Sequence, residues 1–360
     1  MGPEHLHIVA VFPPPTTGMT LVTERMSAVF SVHTPTYLYP VTKPEGTSGI
    51  RWTLYKHFEV ARNLRRALKA GATTCYYVPD SDNGLYFNLI LHAPLLARFE
   101  RVILHHHVYS YLTKHTATFA KFLKRLQSKG GQALHVVLAQ DMAEKLRVLY
   151  KVQHVHVLGN TSFVSTPRPT QLSKTTRSIG FLSNITEAKG IRVFLETART
   201  VPDVDIDIAG PISDPELQQD IEDFVQQDPA RRRWWGPVYG DEKAAFFAKI
   251  DALLFPSSYV NEAQPLTIFE MLALHKPVLA TPQGAILDQL SGTSWVIDHE
   301  RFVRDASRTL RTWSTQPDVY QEACAQAAQV WDKRRAADSD ALAHLVQVVK
   351  DGAQFRETVS

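Results

Sequence analysis

The chain has 360 residues, 44% hydrophobic and 21% charged, with a formal net charge of +3, the balance of an ordinary globular protein with room for two domains of about 100–200 residues each. No apolar run approaches the roughly 20 residues that span a bilayer, and the start lacks a charged region followed by a long apolar one, so the expected location is cytoplasmic. Cys75 and Cys324 stand far apart, which argues against a disulfide framework or a cysteine zinc site, and the small positive charge makes no case for nucleic acid while suiting an anionic small molecule or membrane surface.

Strand and helix signals alternate from the start, as in α/β folds. Residues 6–12 read as a first strand, followed by a proline-rich turn to Gly18 and a helix over about 19–30. Further strands are expected at 75–78, 101–104, 135–139 and 154–158. The run His105-His106-His107 ends the third of these strands, and strand alternation puts His105 and His107 on one face and His106 on the other. Adjacent histidines therefore point apart, and with no carboxylate nearby in sequence a metal site is not expected. Lys114, Lys121, Lys124, Arg125 and Lys129, interleaved with Phe119, Phe122, Leu123 and Leu126, read as a basic amphipathic helix. The solvated face of a surface helix is the preferred reading, with docking on anionic lipid as the alternative. Residues 165–176 are rich in Thr, Ser and Pro without apolar period and read as an interdomain linker.

A second alternating set follows, with strands at 178–182, 204–209, 252–255, 277–280 and 295–297 and final helices at 318–331 and 339–349. Within it, Asp203, Asp205 and Asp207 form overlapping D-x-D, but their alternation with Val204, Ile206 and Ile208 describes a half-buried strand rather than a metal site. The cluster Arg231-Arg232-Arg233-Trp234-Trp235 is too isolated to indicate nucleic acid. Two α/β halves imply a ligand site at the carboxyl ends of their strands.

The stretch 256–270 is the most informative. An apolar strand ends at Pro256-Ser257-Ser258, Glu262 follows on a loop, and Pro265 opens a helix that carries Glu270 with seven residues between the two carboxylates. Proline suits the first helical turn, and the free amides of Leu266 and Thr267, with the positive end of the helix dipole behind them, attract a diphosphate. One carboxylate can then reach a sugar and the other the hydroxyls of a ribose.

This stretch resembles the E-x7-E motif of the retaining glycosyltransferases of family 4, which have the GT-B fold. Ala263 replaces the family's glycine and Met271 its alanine, and Leu274-His275-Lys276-Pro277-Val278 stands where the family has Cys-Gly-x-Pro-Val. Residues 179–191 resemble the family's Gly-Arg-Leu-x-x-x-Lys-Gly element: Lys189 is present, but Phe181 stands at the arginine position, followed by Ser183 and Asn184. A fixed cation there is worth most in the transition state, where the leaving diphosphate gathers charge.

The resemblance implies an α/β GT-B architecture: two Rossmann-like α/β/α domains facing a cleft, with an acceptor domain over 1–168, a donor domain over 169–330, and a last segment, 331–360, crossing back to the first. It implies a metal-independent hexosyl transfer from a UDP-, GDP- or other nucleotide-diphosphate sugar, with no cofactor, to a hydroxyl acceptor that can be lipid-linked, as in polysaccharide or glycolipid assembly. Glu262 would hold the transferred sugar together with His107, or with His105 as second choice. Lys189, Ser183, Asn184, Gln264, Pro265, Leu266 and Thr267 would hold the donor, and Glu270 its ribose. Gly18 would permit a close backbone approach to phosphate, Gly210 would form the turn at the donor, and Val238 would lie on the nucleobase element. Two rivals remain open at this stage: a GT-B nucleotide-sugar epimerase, and a non-catalytic nucleotide-sugar binder suggested by the missing arginine. A peripheral membrane contact is the further partner implied.

Overall fold

The computed structural model describes residues 5–165 and 172–351, and the chain divides into two units, each built on one all-parallel sheet. The first takes Met1–Phe163 with Ala337–Ser360, the second Val164–Ala336.

In the first unit the strands are β1 (Leu6–Val11), β2 (Thr36–Val41), β3 (Thr74–Tyr77), β4 (Arg101–His105), β5 (Gln132–Val137) and β6 (Val155–Val157), in the order β2-β1-β3-β4-β5-β6. All residues of β3 and β4 are buried, as expected of strands covered on both faces by crossover helices. The sequence reading lacked β2. It is an edge strand, its Tyr37 and Leu38 are about half exposed, and Pro40 interrupts its pattern, so the apolar run that marks a central strand is missing. The helix Ala117–Leu126 buries Phe119, Phe122, Leu123 and Leu126 and exposes Lys121, Lys124 and Arg125, as an ordinary surface helix does.

The second unit contains β7 (Ser178–Leu182), β8 (Asp205–Ala209), β9 (Arg232–Trp234), β10 (Ala252–Phe255) and β11 (Val278–Ala280), ordered β11-β10-β7-β8-β9. Residues 295–297 are not a strand: Val296 makes a single bridge to Ala280. The basic cluster instead supplies the edge strand β9, and its charges are engaged locally, with Arg232 over the Phe224 ring at 4.1 Å and Arg233 over Trp235 at 4.0 Å. Asp207, expected to face water, is buried and accepts from Trp235 Nε1 at 2.7 Å. A central parallel strand has no wet face, and burial raises this carboxyl above the usual range.

The two final helices of the sequence reading are one, Pro317–Asp351. Its charged middle, residues 332–340, contains neither Gly nor Pro, so nothing breaks it. From Ala337 onward it groups with the first unit, where Asp338 accepts from the amides of Gly159 at 3.0 Å and Thr161 at 3.2 Å. Of the expected linker, residues 166–171 lie outside the described residues. Its last residue, Thr176, is buried and donates its amide to the Trp313 carbonyl at 3.1 Å.

Candidate functional site

In the second unit the strand order reverses between β7 and β10. Crossovers leaving a parallel sheet in opposite directions open a crevice at the carboxyl ends of such neighbours. The loops that follow β7 and β10 carry Lys189 and Glu262, and the fold brings these two residues together. Lys189 Nζ lies 2.5 Å from Glu262 Oε2 and 4.5 Å from the centre of the Tyr259 ring. Ser257 Oγ donates to the same carboxylate oxygen at 2.9 Å.

Backbone contacts force this meeting. Lys189 ends a short 3-10 turn, and Gly190 continues it at φ +82° into the helix Ile191–Arg199. A Cβ at Gly190 would stand 2.0 Å from the Pro256 carbonyl oxygen, so the turn lies directly on the β10 loop. The amide of Ser258 donates to the Ala188 carbonyl at 2.8 Å. On its other side the Glu262 loop is tied to the loop after β11, where Ala285 N donates to Ala263 O at 2.9 Å and Thr281 Oγ1 to Ser257 O at 2.6 Å. Gly284, at φ +58°, has room for no side chain, since its Cβ would stand 1.6 Å from the Glu262 carbonyl oxygen. Glu262 itself is 7% exposed. A buried carboxylate needs a partner to remain charged, and Lys189 supplies it.

Pro265 precedes the helix Leu266–Leu272 as its N-cap, with φ −59° and ψ 124°, one residue earlier than the sequence suggested. Leu266 and Thr267 therefore hold the first two helical positions, whose amides have no intrahelical acceptor. One turn further on, Glu270 Oε1 accepts from Lys243 Nζ at 2.7 Å. Its Oε2 is buried and has no hydrogen-bond partner among the described residues. An unmatched buried carboxylate oxygen costs about 1–3 kcal/mol or more, and it keeps its capacity to accept a hydrogen bond.

Among the other residues named from sequence, Ser183 is half-buried, with its hydroxyl on the Asn184 carbonyl at 3.2 Å, and Asn184 is exposed. Gln264 and Val238 are buried. Gly210 meets a demand of the chain itself: at φ +130° its Cβ would fall 1.7 Å from the Ser183 carbonyl oxygen, so it seats the β7 loop. Phe181, at the position where the resemblance expects arginine, is 1% exposed and packs on Phe194 with ring centres 5.3 Å apart.

In the first unit, Gly18 begins the helix Gly18–His33 and does not occupy a left-handed conformation. Thr17 caps that helix by accepting from Thr20 N at 3.2 Å, and Thr20 Oγ1 accepts from Thr17 N at 2.9 Å. The Thr17 hydroxyl is therefore engaged by the chain. His105 and His107 do share a face, their ring centres 4.1 Å apart. The Nδ1 of His105 pairs with Tyr76 Oη at 2.6 Å, while the Nε2 atoms of both rings are buried without a hydrogen-bond partner among the described residues. Burial holds the His107 pKa down at about 3 and that of His105 well below the usual value, with His107 beside it adding to the shift. Both imidazoles are neutral near pH 7, suited to hydrogen bonding rather than to supplying positive charge.

Residues 176–312 match the family model described as Glycosyl transferases group 1, a segment holding Lys189, Glu262, Glu270 and Lys243. No curated relative matches the sequence. Among solved structures, sucrose-phosphate synthase from Thermosynechococcus elongatus superposes at a TM-score of 0.72 with 12% identity, covering 97% of this chain and 100% of its own. HepE from Anabaena, in complex with UDP and glucose, gives 0.66 at 12%, covering 96% and 99%. The catalytic domain of starch synthase IV from Arabidopsis thaliana, bound to ADP and acarbose, gives 0.66 at 10%, covering 96% and 100%. The fold is that of the GT-B glycosyltransferases. Together with the family match, these likenesses support a glycosyltransferase.

Sequence reading gave no role to Ser257, Tyr259, Lys243 or Gly284. Ser257 and Tyr259 lay inside the stretch singled out, and proximity to Glu262 was the available signal. Lys243 and Gly284 approach from other elements at no fixed spacing, so only the fold reveals them.

Proposed function

We propose that the chain is a retaining, metal-independent glycosyltransferase of the family 4 kind, moving a sugar from a nucleotide-diphosphate sugar to a hydroxyl acceptor. The observation that carries this reading is the meeting of Lys189 and Glu262 at 2.5 Å beside a helix N-terminus. HepE with UDP and glucose and starch synthase IV with ADP support a nucleotide donor. Lys189 and the amides of Leu266 and Thr267 take the diphosphate, Glu270 Oε2 the ribose, and Glu262 the sugar. In transfer, the bond from the anomeric carbon to the phosphate oxygen breaks and one to the acceptor oxygen forms on the same face. The acceptor's proton passes to the departing phosphate oxygen. Lys189 stabilises the charge that develops there, in the place a metal ion holds in other transferases.

Incubation with UDP-, GDP- and ADP-sugars, followed by NMR of the anomeric proton, tests the reading. Transfer or slow donor hydrolysis with retained configuration is expected. Binding without turnover would favour a non-catalytic binder, the outcome to which the buried Phe181 points, and inverted product would exclude retention.

Glu270 makes a separate prediction. A hydroxyl donating to a carboxylate is worth about 1.5–3 kcal/mol, so the protein should prefer the ribonucleoside diphosphate over its 2′- or 3′-deoxy analogue by about tenfold to a hundredfold. Glu270→Ala should erase that preference, and Lys243→Met should blunt it by releasing Oε1. Calorimetric titration reads the ratio, and an unchanged preference in Glu270→Ala would remove Glu270 from the donor.

A further inference from the structure

The sequence pattern placed a basic amphipathic helix at residues 114–129, but the apolar side of Ala117–Leu126 lies in the core. The helix Gly49–Lys69 does the reverse. It is held by His57, Val60, Ala61, Asn63, Leu64 and Ala67, while Ile50, Leu54 and Phe58 are 69%, 41% and 60% exposed. Side chains four residues apart fall nearly in line on a helix, so these three form one apolar ridge about 12 Å long at 1.5 Å per residue. Arg51, Arg62, Arg65, Arg66 and Lys69 are exposed as well, and at 100° per residue they share the ridge's half of the helix. Glu59, the one carboxylate of this helix, is half-buried and paired with Arg62 at 2.6 Å.

Single exposed apolar residues need no explanation, whereas an aligned set continuous with cations does. A protein interface carries a mixed rim of hydrogen-bonding groups. This face offers mainly hydrocarbon, aromatic rings and cations, the combination that suits a headgroup layer over acyl chains. We propose that the exposed face of the helix Gly49–Lys69 docks on an anionic phospholipid surface. Ile50, Leu54 and Phe58 enter the headgroup layer, and Arg62, Arg65, Arg66 and Lys69 lie against the lipid phosphates. The contact is peripheral, since no helix among the described residues is long and apolar enough to cross a membrane. It uses no donor-site residue and stands whether or not the transferase reading holds.

Flotation of the full chain with vesicles of phosphatidylcholine, alone or with about 30% phosphatidylglycerol, tests it. Binding is expected to the anionic vesicles at low salt, to fade at high salt as surface charge is screened, and to be weak on phosphatidylcholine alone. Arg65→Gln with Arg66→Gln should lower partitioning about 25-fold, at about fivefold per cation near the surface, and Phe58→Asp should lower it at least about tenfold. These side chains are exposed, so circular dichroism and melting of the variants should match the parent. The proposal is overturned if the parent fails to float with anionic vesicles, or if the variants bind as it does. Concentration-dependent self-association abolished by Phe58→Asp, with no vesicle binding, would make this face a contact between copies instead.

Discussion

Glu262→Gln is expected to lower sugar transfer by at least about 100-fold, the scale of losing one preorganised group from a transition-state site, while nucleoside diphosphate affinity stays the same or tightens. The direction follows from the resting geometry. Glu262 Oε2 holds both Lys189 and the Ser257 hydroxyl, so the lysine that should neutralise the diphosphate is already engaged. Removing the carboxylate's charge frees that cation for the incoming phosphates. Lys189→Ala acts oppositely: it strands a carboxylate that is 7% exposed, which costs up to about 3 kcal/mol in stability, and it weakens diphosphate binding together with transfer. Steady-state kinetics with and without added nucleoside diphosphate as inhibitor separates the two. An unaltered turnover in Glu262→Gln would remove this carboxylate from the chemistry.

The second large effect is acid unfolding of the first unit, which holds thirteen of the fifteen histidines. Burial lowers His57 and His156 to about 4 and His107 and His135 to about 3, and it holds His105 and His106 well below the usual value. Neighbouring rings sharpen this, as with His106 Nε2 at 3.0 Å from His135 Nδ1. Above about pH 6.5 these imidazoles are neutral in the folded and unfolded states alike, and they exact no penalty. As pH falls below 6.5 the unfolded chain takes up protons that the folded chain refuses, so stability drops by about 1.4 kcal/mol per pH unit for each such histidine. Two pH units across His107 and His135 alone amount to about 6 kcal/mol, within the range of the whole stability of a domain. Melting followed by circular dichroism at pH 7.5, 6 and 5 should show a steep decline, flattened by His135→Asn. A melting temperature steady down to pH 5 would contradict it.

The fold was legible wherever strands are buried on both faces, because such strands read as continuous apolar runs; β4 and β10 were found this way. The edges were not. β2 is broken by Pro40 and β9 is built from Arg232, Arg233 and Trp234, so neither shows the pattern of a central strand. Alternation misplaced Asp207 for a related reason, since a period of two says which residues share a side and not whether that side is dry. At the candidate site, Lys189, Glu262 and Glu270 were singled out because each lies in a stretch that resembles a family motif, and the fold pairs Lys189 with Glu262. Lys243, which fixes one oxygen of Glu270, and Asp338, which accepts three bonds from the loop after β6, act across long sequence separations that no local pattern records.

Gly190, Gly210 and Gly284 each face a carbonyl oxygen at 2.0 Å or less from where a methyl group would sit. Saturation mutagenesis would therefore score them as harshly as the charged residues they surround, although no ligand need ever touch them. A map of intolerant positions in this domain would trace the crowded backbone and the charged pair alike, without marking which of them meets a ligand.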